Sequence, residues 1–144
     1  MTDKKKVRLF LVDDDALYLK NLEMDFAQNS DAVIRTFSTG EQCLEHLSQN
    51  PDIIVLDYYL DGVDKNAING LETLDQLKAI RPEIPVIMLS SQDSIDVAVN
   101  CMKHLAFDYI VKSETAFIRL QKTIAFILHN RKIEDTLSWY MEKM

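Results

Sequence analysis

Short apolar runs alternate with amphipathic stretches along the whole chain. Five runs have the length of buried strands, and they cover residues 7–12, 33–37, 53–57, 85–90 and 107–111. The stretches between them have helical periodicity and predict helices at about residues 15–29, 40–49, 70–81, 94–104 and from 114 onward. Five strand–helix units in a row predict an α/β domain with a parallel sheet covered on both faces. Right-handed crossovers make this a doubly wound open sheet of five strands.

Polar residues near the expected helix starts predict the N-terminal caps. Asp15 directly precedes the first helix, and Ser38 with Glu41 has the spacing of a capping box for the second. Asp93 and Ser113 are the corresponding candidates for the fourth and fifth helices.

Three of the apolar runs end at charged residues. The first run ends at Asp13 and Asp14, the third at Asp57, and the fifth at Lys112. The carboxyl ends of parallel strands line one edge of the sheet, so these charges are expected to meet there. Adjacent carboxylates raise each other's pKa unless a cation lies between them, and Mg2+ binds both carboxylate and phosphate oxygens. The pattern predicts a site for Mg2+ and a phosphoryl group, with Asp57 as the nucleophile.

The residues at the strand ends also have simpler interpretations. Asp13 and Asp14 could form an acidic turn, and Asp57 could be a third metal ligand without covalent chemistry. Lys112 could be a surface lysine. Ser90, at the end of the fourth strand, could donate a hydrogen bond to a phosphoryl oxygen or be a structural serine.

Two segments depart from the regular alternation. Residues 57–69 (DYYLDGVDKNAIN) form a long polar connection where about two to six residues are usual. A connection of this length is typical of a functional or mobile loop, and a neutral insertion is the alternative interpretation. The last helix continues past Leu128 without a breaker. It carries apolar residues, with one polar exception, at alternating steps of four and three, a heptad seam that predicts a helix–helix partner. The seam comprises Phe126, Asn130, Ile133, Leu137, Tyr140 and Met144.

Composition and charge restrict the class of protein. The chain has 144 residues, 47% of them hydrophobic and 27% charged, which suits a single domain with a substantial core. A formal net charge of −7 argues against direct nucleic-acid binding by this segment. No apolar run approaches the length of about 18 residues that marks a membrane span, and residues 1–6 do not resemble a signal peptide. Cys43 and Cys101 are expected to be buried free thiols, which favours a cytoplasmic protein.

Five fragments that carry these residues follow the order found in a known family. They are Leu11–Asp14, Val55–Asp57, Asn69–Glu72, Pro85–Ser91 and Asp108–Lys112. Over about residues 5–128, the chain resembles the receiver domain of two-component response regulators. The resemblance implies a flavodoxin-like sheet with strand order 2-1-3-4-5. It also implies a receiver domain at residues 1–128 and, at 129–144, a helical extension or the start of a linker.

The resemblance assigns the chemistry to the acidic residues. Asp57 would accept a phosphoryl group from a histidine kinase or phosphotransfer protein. Asp13 and Asp14 would hold Mg2+ together with Asp57 and the backbone carbonyl of Tyr59. The protein would catalyse only its own phosphorylation and dephosphorylation, and would not be a turnover enzyme.

The resemblance assigns recognition and switching to the other strand ends. Ser90 and Lys112 would bind the phosphoryl oxygens. Ser90 would also couple to Tyr109, the aromatic residue on the fifth strand, and so change the partner preference of the face built by the fourth helix, fifth strand and fifth helix. The sequence by itself leaves open whether Tyr109 lies in the core or forms an exposed switch.

Two departures from the family pattern lie beside the site. Ser113 replaces the usual proline after Lys112, which predicts either a trans bond with a shifted loop or a cis bond that costs about 2.5–4 kcal/mol. Gly70 follows Asp57 by thirteen residues instead of eight, so the intervening loop is five residues longer, and Asp61 replaces a usual proline. This loop is expected to influence kinase recognition or the lifetime of the phosphoryl group.

A third departure concerns access of water to the acceptor. Tyr59 occupies a position from which a side chain can screen a phosphoryl group, with Gln92 on the opposite side. We expect this pair to slow autodephosphorylation.

Two other functions compete with the phosphorylated receiver. One is a pseudo-receiver, a binding module that works without phosphorylation. The other is a small haloacid-dehalogenase-like phosphatase, because Asp13 and Asp15 have its Asp-x-Asp spacing, although the chain lacks room for the usual cap domain. The sequence names neither a cognate kinase nor an output domain or target. The seam predicts a possible homodimer through the C-terminal helix.

Overall fold

The computed structural model describes residues 6–143. The five strands are β1 (Arg8–Val12), β2 (Val33–Phe37), β3 (Ile53–Asp57), β4 (Val86–Ser90) and β5 (Asp108–Val111). The helices are α1 (Ala16–Asn29), α2 (Gly40–Glu45), α3 (Gly70–Ile80), α4 (Ile95–Lys103) and α5 (Ala116–Lys143), with a short 3-10 helix at Leu47–Gln49. The predictions for residues 1–5 and for Met144 lie outside the described residues.

The strands form one parallel sheet with the order β2-β1-β3-β4-β5. This confirms the predicted flavodoxin-like, doubly wound architecture. Strands β1 and β3 are central neighbours, with Val12 opposite Leu56. In the next pair, Asp57 lies opposite Leu89, and Ser90 lies opposite Val111 in the last. The ends of β1, β3, β4 and β5 therefore lie side by side.

The sheet separates two hydrophobic layers. On one face Phe10, Leu56 and Met88 pack against α2, α3 and α4, and both cysteines are buried there as free thiols. On the other face Leu11 and Val55 pack against α1 and α5. Side chains on alternate positions of each strand enter opposite layers, as expected for a sheet buried on both faces.

The predicted caps were right for α1 and wrong for the others. The Asp15 carboxylate accepts hydrogen bonds from the first turn of α1, as predicted. The cap of α2 is Thr39 instead of Ser38, and that of α4 is Ser94 instead of Asp93. Each observed cap lies one residue after the predicted one. Its hydroxyl accepts a hydrogen bond from a backbone N–H in the first turn of the helix.

Two further details of the helix predictions were wrong. The stretch predicted as a helix at residues 40–49 is divided into α2 and the 3-10 helix, because the α-helical hydrogen bonding stops at Glu45. Helix α5 begins at Ala116, and the hydroxyl of Ser113 lies 3.2 Å from that of Thr115 instead of capping the helix.

Helix α5 has 28 residues and extends beyond the domain core. Its N-terminal half is buried through residues such as Leu120 and Ile127. The last tether to the domain is Arg131, whose Nη1 donates a hydrogen bond of 3.0 Å to Asp52. Every described residue after Arg131 is exposed. Within residues 6–143, none of the helices is both long enough and apolar enough to cross a membrane.

Candidate functional site

Three carboxylates meet at the carboxyl edge of the sheet. One oxygen each from Asp13, Asp14 and Asp57 lies within 4.8 Å of the others. Asp13 and Asp57 are buried, with 2% and 3% of their surface exposed, whereas Asp14 is half-buried. Backbone hydrogen bonds hold both strand ends, from Asp13 N to Phe37 O at 3.1 Å and from Tyr58 N to Leu89 O at 2.8 Å. The predicted convergence of these three aspartates is therefore present.

Lys112 supplies the positive charge of the cluster. Its Nζ lies 2.8 Å from Asp13 Oδ2 and 3.4 Å from Asp57 Oδ1. Among the described residues, Lys112 forms no ion pair with Asp14. The ammonium also lies 4.4 Å from the ring centroid of Tyr18, a cation–π contact from α1 that the sequence pattern did not reveal.

The electrostatics of the cluster centre on Asp57. Burial raises its pKa to about 7, and the Asp13 carboxylate adds to this rise, while Lys112 acts in the opposite direction. For Lys112, burial lowers the pKa, but the close pairing with Asp13 and the charge of Asp57 outweigh it, so the pKa is raised. The group of three carboxylates thus holds more negative charge than one lysine compensates.

Two oxygens of the cluster remain without a hydrogen bond. Asp13 Oδ2 and Asp57 Oδ1 are buried and face the Lys112 ammonium, but neither has a hydrogen bond of acceptable geometry within residues 6–143. Buried carboxylate oxygens normally have such partners. Hard oxygen donors at this spacing fit a divalent cation such as Mg2+, which carboxylates hold together with water and phosphate.

Ser90 and Lys112 lie next to each other at the ends of β4 and β5. Lys112 N donates a hydrogen bond of 2.7 Å to the Ser90 carbonyl, and this bond fixes the backbone at both ends. Ser90 is fully buried, and its Oγ accepts a hydrogen bond of 3.1 Å from Gln92 N. The Lys112–Ser113 peptide bond is trans, so the predicted alternative of a cis bond is wrong.

Tyr109 is partly buried and points toward the segment after β4. Its ring packs at the border of the hydrophobic layer, and its hydroxyl donates a hydrogen bond to the Gln92 carbonyl. The sequence left open whether Tyr109 is a core residue or an exposed one. Both descriptions apply in part, because its ring contacts the core and its hydroxyl lies outside it.

The long loop after β3 contacts the aspartate cluster through its backbone. The amides of Gly62 and Val63 donate hydrogen bonds to Asp14 Oδ2, at 3.0 and 3.2 Å. At the end of the loop, Gly70 lies so close to the backbone of residues 57 and 58 that a Cβ atom there would clash. The sequence pattern did not indicate the contact with Asp14, because backbone donors carry no side-chain signature.

The chain is similar to a known protein family and to several curated proteins. The family described as response regulator receiver domain matches residues 9–125. A protein-glutamate methylesterase/protein-glutamine glutaminase of Clostridium acetobutylicum is 33% identical over 118 residues, which cover 78% of this chain and 32% of that protein. The DNA-binding transcriptional regulator NtrC of Escherichia coli K12 is 34% identical over 105 residues, covering 72% of this chain and 21% of NtrC. The chain thus spans about a fifth to a third of the length of these relatives.

Solved structures show the same relationship. The signal receiver domain of a Luxo repressor protein from Vibrio parahaemolyticus has a TM-score of 0.77 and 25% identity, covering 92% of this chain and 98% of that one. The BeF3-activated receiver domain of DrrB, from Thermotoga maritima, has a TM-score of 0.70 and 26% identity, with 84% and 99% covered. With the family match over residues 9–125, these likenesses establish that the chain belongs to the response regulator receiver domain family.

Proposed function

We propose that this receiver accepts a phosphoryl group on Asp57 from a histidine kinase or phosphotransfer protein. The observation that carries the proposal is the position of the Asp57 carboxylate, at a strand end between Lys112 and two further aspartates. An Asp57 oxygen would form the bond to phosphorus as the bond from phosphorus to the donor histidine nitrogen breaks. Burial keeps competing water away from this carboxylate.

Magnesium is the proposed cofactor. Asp13, Asp14 and Asp57 would hold the ion, together with the backbone carbonyl of Tyr59. The two buried carboxylate oxygens without hydrogen bonds support this assignment. When bound, the ion supplies charge neutralisation between the carboxylates and the incoming phosphoryl group.

Lys112 and Ser90 are the proposed phosphoryl-binding residues. In the unphosphorylated protein Lys112 pairs with Asp13 and Asp57. After transfer, one of these pairings would be exchanged for a charge-assisted hydrogen bond to a phosphoryl oxygen. Ser90 donates no hydrogen bond among the described residues, so its hydroxyl proton remains free for a second phosphoryl oxygen.

The proposed switch links Ser90 to Tyr109. If the Ser90 hydroxyl turns toward the phosphoryl group, the segment around Gln92 loses the acceptor that Ser90 now provides to Gln92 N. The Tyr109 hydroxyl is bonded to the carbonyl of the same Gln92. A change at Ser90 would therefore reach Tyr109 through this one residue and alter the surface formed by α4, β5 and α5.

The alternative functions have less support. In a haloacid-dehalogenase-like phosphatase the second aspartate of the Asp-x-Asp motif would face the site, but the Asp15 side chain is bonded to the backbone of α1 at Leu17 and Tyr18. A pseudo-receiver would not need the complete set of three aspartates and Lys112. We propose a signalling domain that turns over no external substrate.

The C-terminal helix is the proposed contact with a second copy of this chain. We place the receiver domain at residues 1–128 and the helical extension or linker at 129–144. The side chains of Ile133, Leu137 and Tyr140 are each about half exposed and follow the heptad steps. Asn130 falls at the heptad position where a polar residue fixes register in two-stranded parallel coiled coils.

The cell compartment and the downstream partner complete the proposal. Cys43 and Cys101 are free and buried, which suits a reducing compartment, and we place the protein in the cytoplasm. The receiver would act on an output domain or target, and the curated relatives carry further chain beyond the matched receiver.

The direct test is phosphorylation by a small donor. The protein is incubated with acetyl phosphate and Mg2+, and its intact mass is measured. We expect the mass of one added phosphoryl group on the wild type and none on Asp57→Asn. A wild type that gains no phosphate, or equal gain by both proteins, would remove the proposed function.

A further inference from the structure

The three aspartates of the site are compensated in different ways. Lys112 pairs with Asp13 and Asp57. Asp14 forms no ion pair with any lysine, arginine or histidine that the structure describes. Its charge is met instead by two backbone amides, Gly62 N at 3.0 Å and Val63 N at 3.2 Å, which share the acceptor Oδ2. The support of Asp14 therefore comes from the long loop between β3 and α3.

This loop is anchored on both sides of the two amides. On the β3 side Leu60 is buried with 1% of its surface exposed, and on the α3 side Ala67 is buried with 9% exposed. The next residue, Ile68, donates its backbone N–H to Glu41 Oε2 of α2 at 3.2 Å. Asn69 then caps α3. Anchored ends hold the two donor groups in place, so the loop is an ordered part of the site and more than a polar insertion.

The position of the two donors determines what remains available on Asp14. Both amides bond Oδ2, and Oδ1 has no hydrogen-bond partner within residues 6–143, so it is available to a ligand. A carboxylate held in this way keeps a fixed orientation. Groups that bond a metal-ligating side chain from outside orient it, and their loss typically weakens metal binding by about 10–100-fold.

We propose that the Gly62 and Val63 amides position Asp14 for Mg2+, and that Mg2+ binding in turn stabilises this loop. The proposal rests on the magnesium site of the proposed function. Coupling between the ion and the loop must be reciprocal, because each changes the free energy of the other by the same amount. The extended loop thereby becomes a positioning element that sets magnesium affinity and changes with occupancy.

The first test removes one donor. Val63→Pro eliminates the N–H bonded to Asp14, and Val63→Ala keeps it; the Val63 side chain is 78% exposed, so its truncation costs little packing. Titration calorimetry with magnesium chloride should give about tenfold weaker binding for Val63→Pro, at the lower end of losses from such outer contacts, and unchanged binding for Val63→Ala. Equal affinity of both variants, each with a wild-type circular dichroism spectrum, would overturn the proposal.

The second test uses the wild type and does not depend on a variant that folds. Amide hydrogen exchange is followed with and without saturating Mg2+. Slower exchange at Gly62 and Val63 in the presence of Mg2+ supports the coupling, and unchanged exchange contradicts it. If the wild type binds no Mg2+ at all, or if Asp13→Asn binds it equally well, the proposed magnesium site is wrong. If the wild type binds Mg2+ while the loop is unaffected, only the coupling between the ion and the loop is wrong.

Discussion

Asp57 lies in an environment that opposes its own ionisation. If all groups are charged, the three aspartates and Lys112 leave an excess of two negative charges at the edge of the sheet. Burial and the Asp13 carboxylate raise the pKa of Asp57 to about 7, well above its ordinary value of 3.8. Binding of a cation relieves this repulsion, and so does a covalent bond to the Asp57 carboxylate, so both are favoured by the arrangement.

The raised pKa predicts a pH-dependent stability without magnesium. The folded protein holds the Asp57 proton more tightly than the unfolded chain does. Protonation of Asp57 therefore stabilises the folded protein fully below about pH 4, and this stabilisation is lost as the pH rises to about 7. Asp57→Asn lacks this proton. Urea unfolding in EDTA should therefore show the wild type losing stability relative to the variant across this range. Parallel pH profiles for the two proteins would contradict the assigned environment.

Tyr59 is predicted to protect the phosphoryl group. Its ring lies edge-on to that of Tyr58, with 4.9 Å between the ring centroids. Its pKa is raised by desolvation and by the nearby Tyr58, Tyr109 and Asp57. Replacing Tyr59 by Asn should shorten the half-life of the phosphorylated protein, measured by intact mass over time, because water gains access. Tyr59→Phe keeps the ring and should keep the half-life. An unchanged half-life in Tyr59→Asn would rule out the screening role.

The sequence predicts some of these site residues and not others. Asp13, Asp57 and Lys112 are predictable, because each stands at the carboxyl end of an apolar run and parallel strands end at one edge. Tyr18 is not, since its contact with Lys112 depends on how α1 is rotated on the sheet. The amide of Val63 is not either, because every residue except proline carries the same donor.

At the level of elements, strand positions were predicted more closely than helix ends. Apolar runs of five or six residues have clear limits, and β2 and β3 match the prediction residue for residue. The start of a helix depends on which of two adjacent polar side chains can accept a hydrogen bond from the first turn, as with Ser38 and Thr39. Glu41 had the spacing of a capping box, but its Oε2 accepts from Ile68 of the long loop, a contact distant in sequence.

Helix α5 contributes to stability through its buried face. Leu120 is fully buried in the layer shared with α1, whereas Ile118 on the same helix is 52% exposed. Leu120→Ala should lower the free energy of unfolding by about 2–5 kcal/mol, as expected when a core leucine is truncated. Ile118→Ala is the matched control and should have a much smaller effect. Urea unfolding measures both, and similar losses would contradict the assigned packing of α5.

The whole molecule combines a receiver domain with a helix that extends past it. From residue 132 to residue 143 every side chain of the extension is exposed, and several of these are large and apolar. Exposed apolar stripes of this kind mark surfaces that bind a partner. The order of the sheet and the site could be inferred from the chain alone, but the partner of the extension could not, because it is not part of the chain's own packing.

Dimerisation through the seam can be tested by introducing one charged side chain into it. Leu137→Lys places an ammonium in the seam, while Glu142→Lys introduces the same group on another face of the same exposed helix. Sedimentation velocity should show a dimer for the wild type and Glu142→Lys, and a monomer for Leu137→Lys. A wild type that stays monomeric at high concentration, or variants that sediment alike, would contradict the dimer.

The position of the phosphoryl group tests the central claim most directly. The protein is treated with acetyl phosphate, with Mg2+ in one sample and EDTA in the other, and the modified residue is located by tandem mass spectrometry. We predict a phosphoryl group on Asp57 in the magnesium sample and a strongly reduced amount in EDTA. Modification at a residue other than Asp57, or equal modification in both samples, would contradict the account.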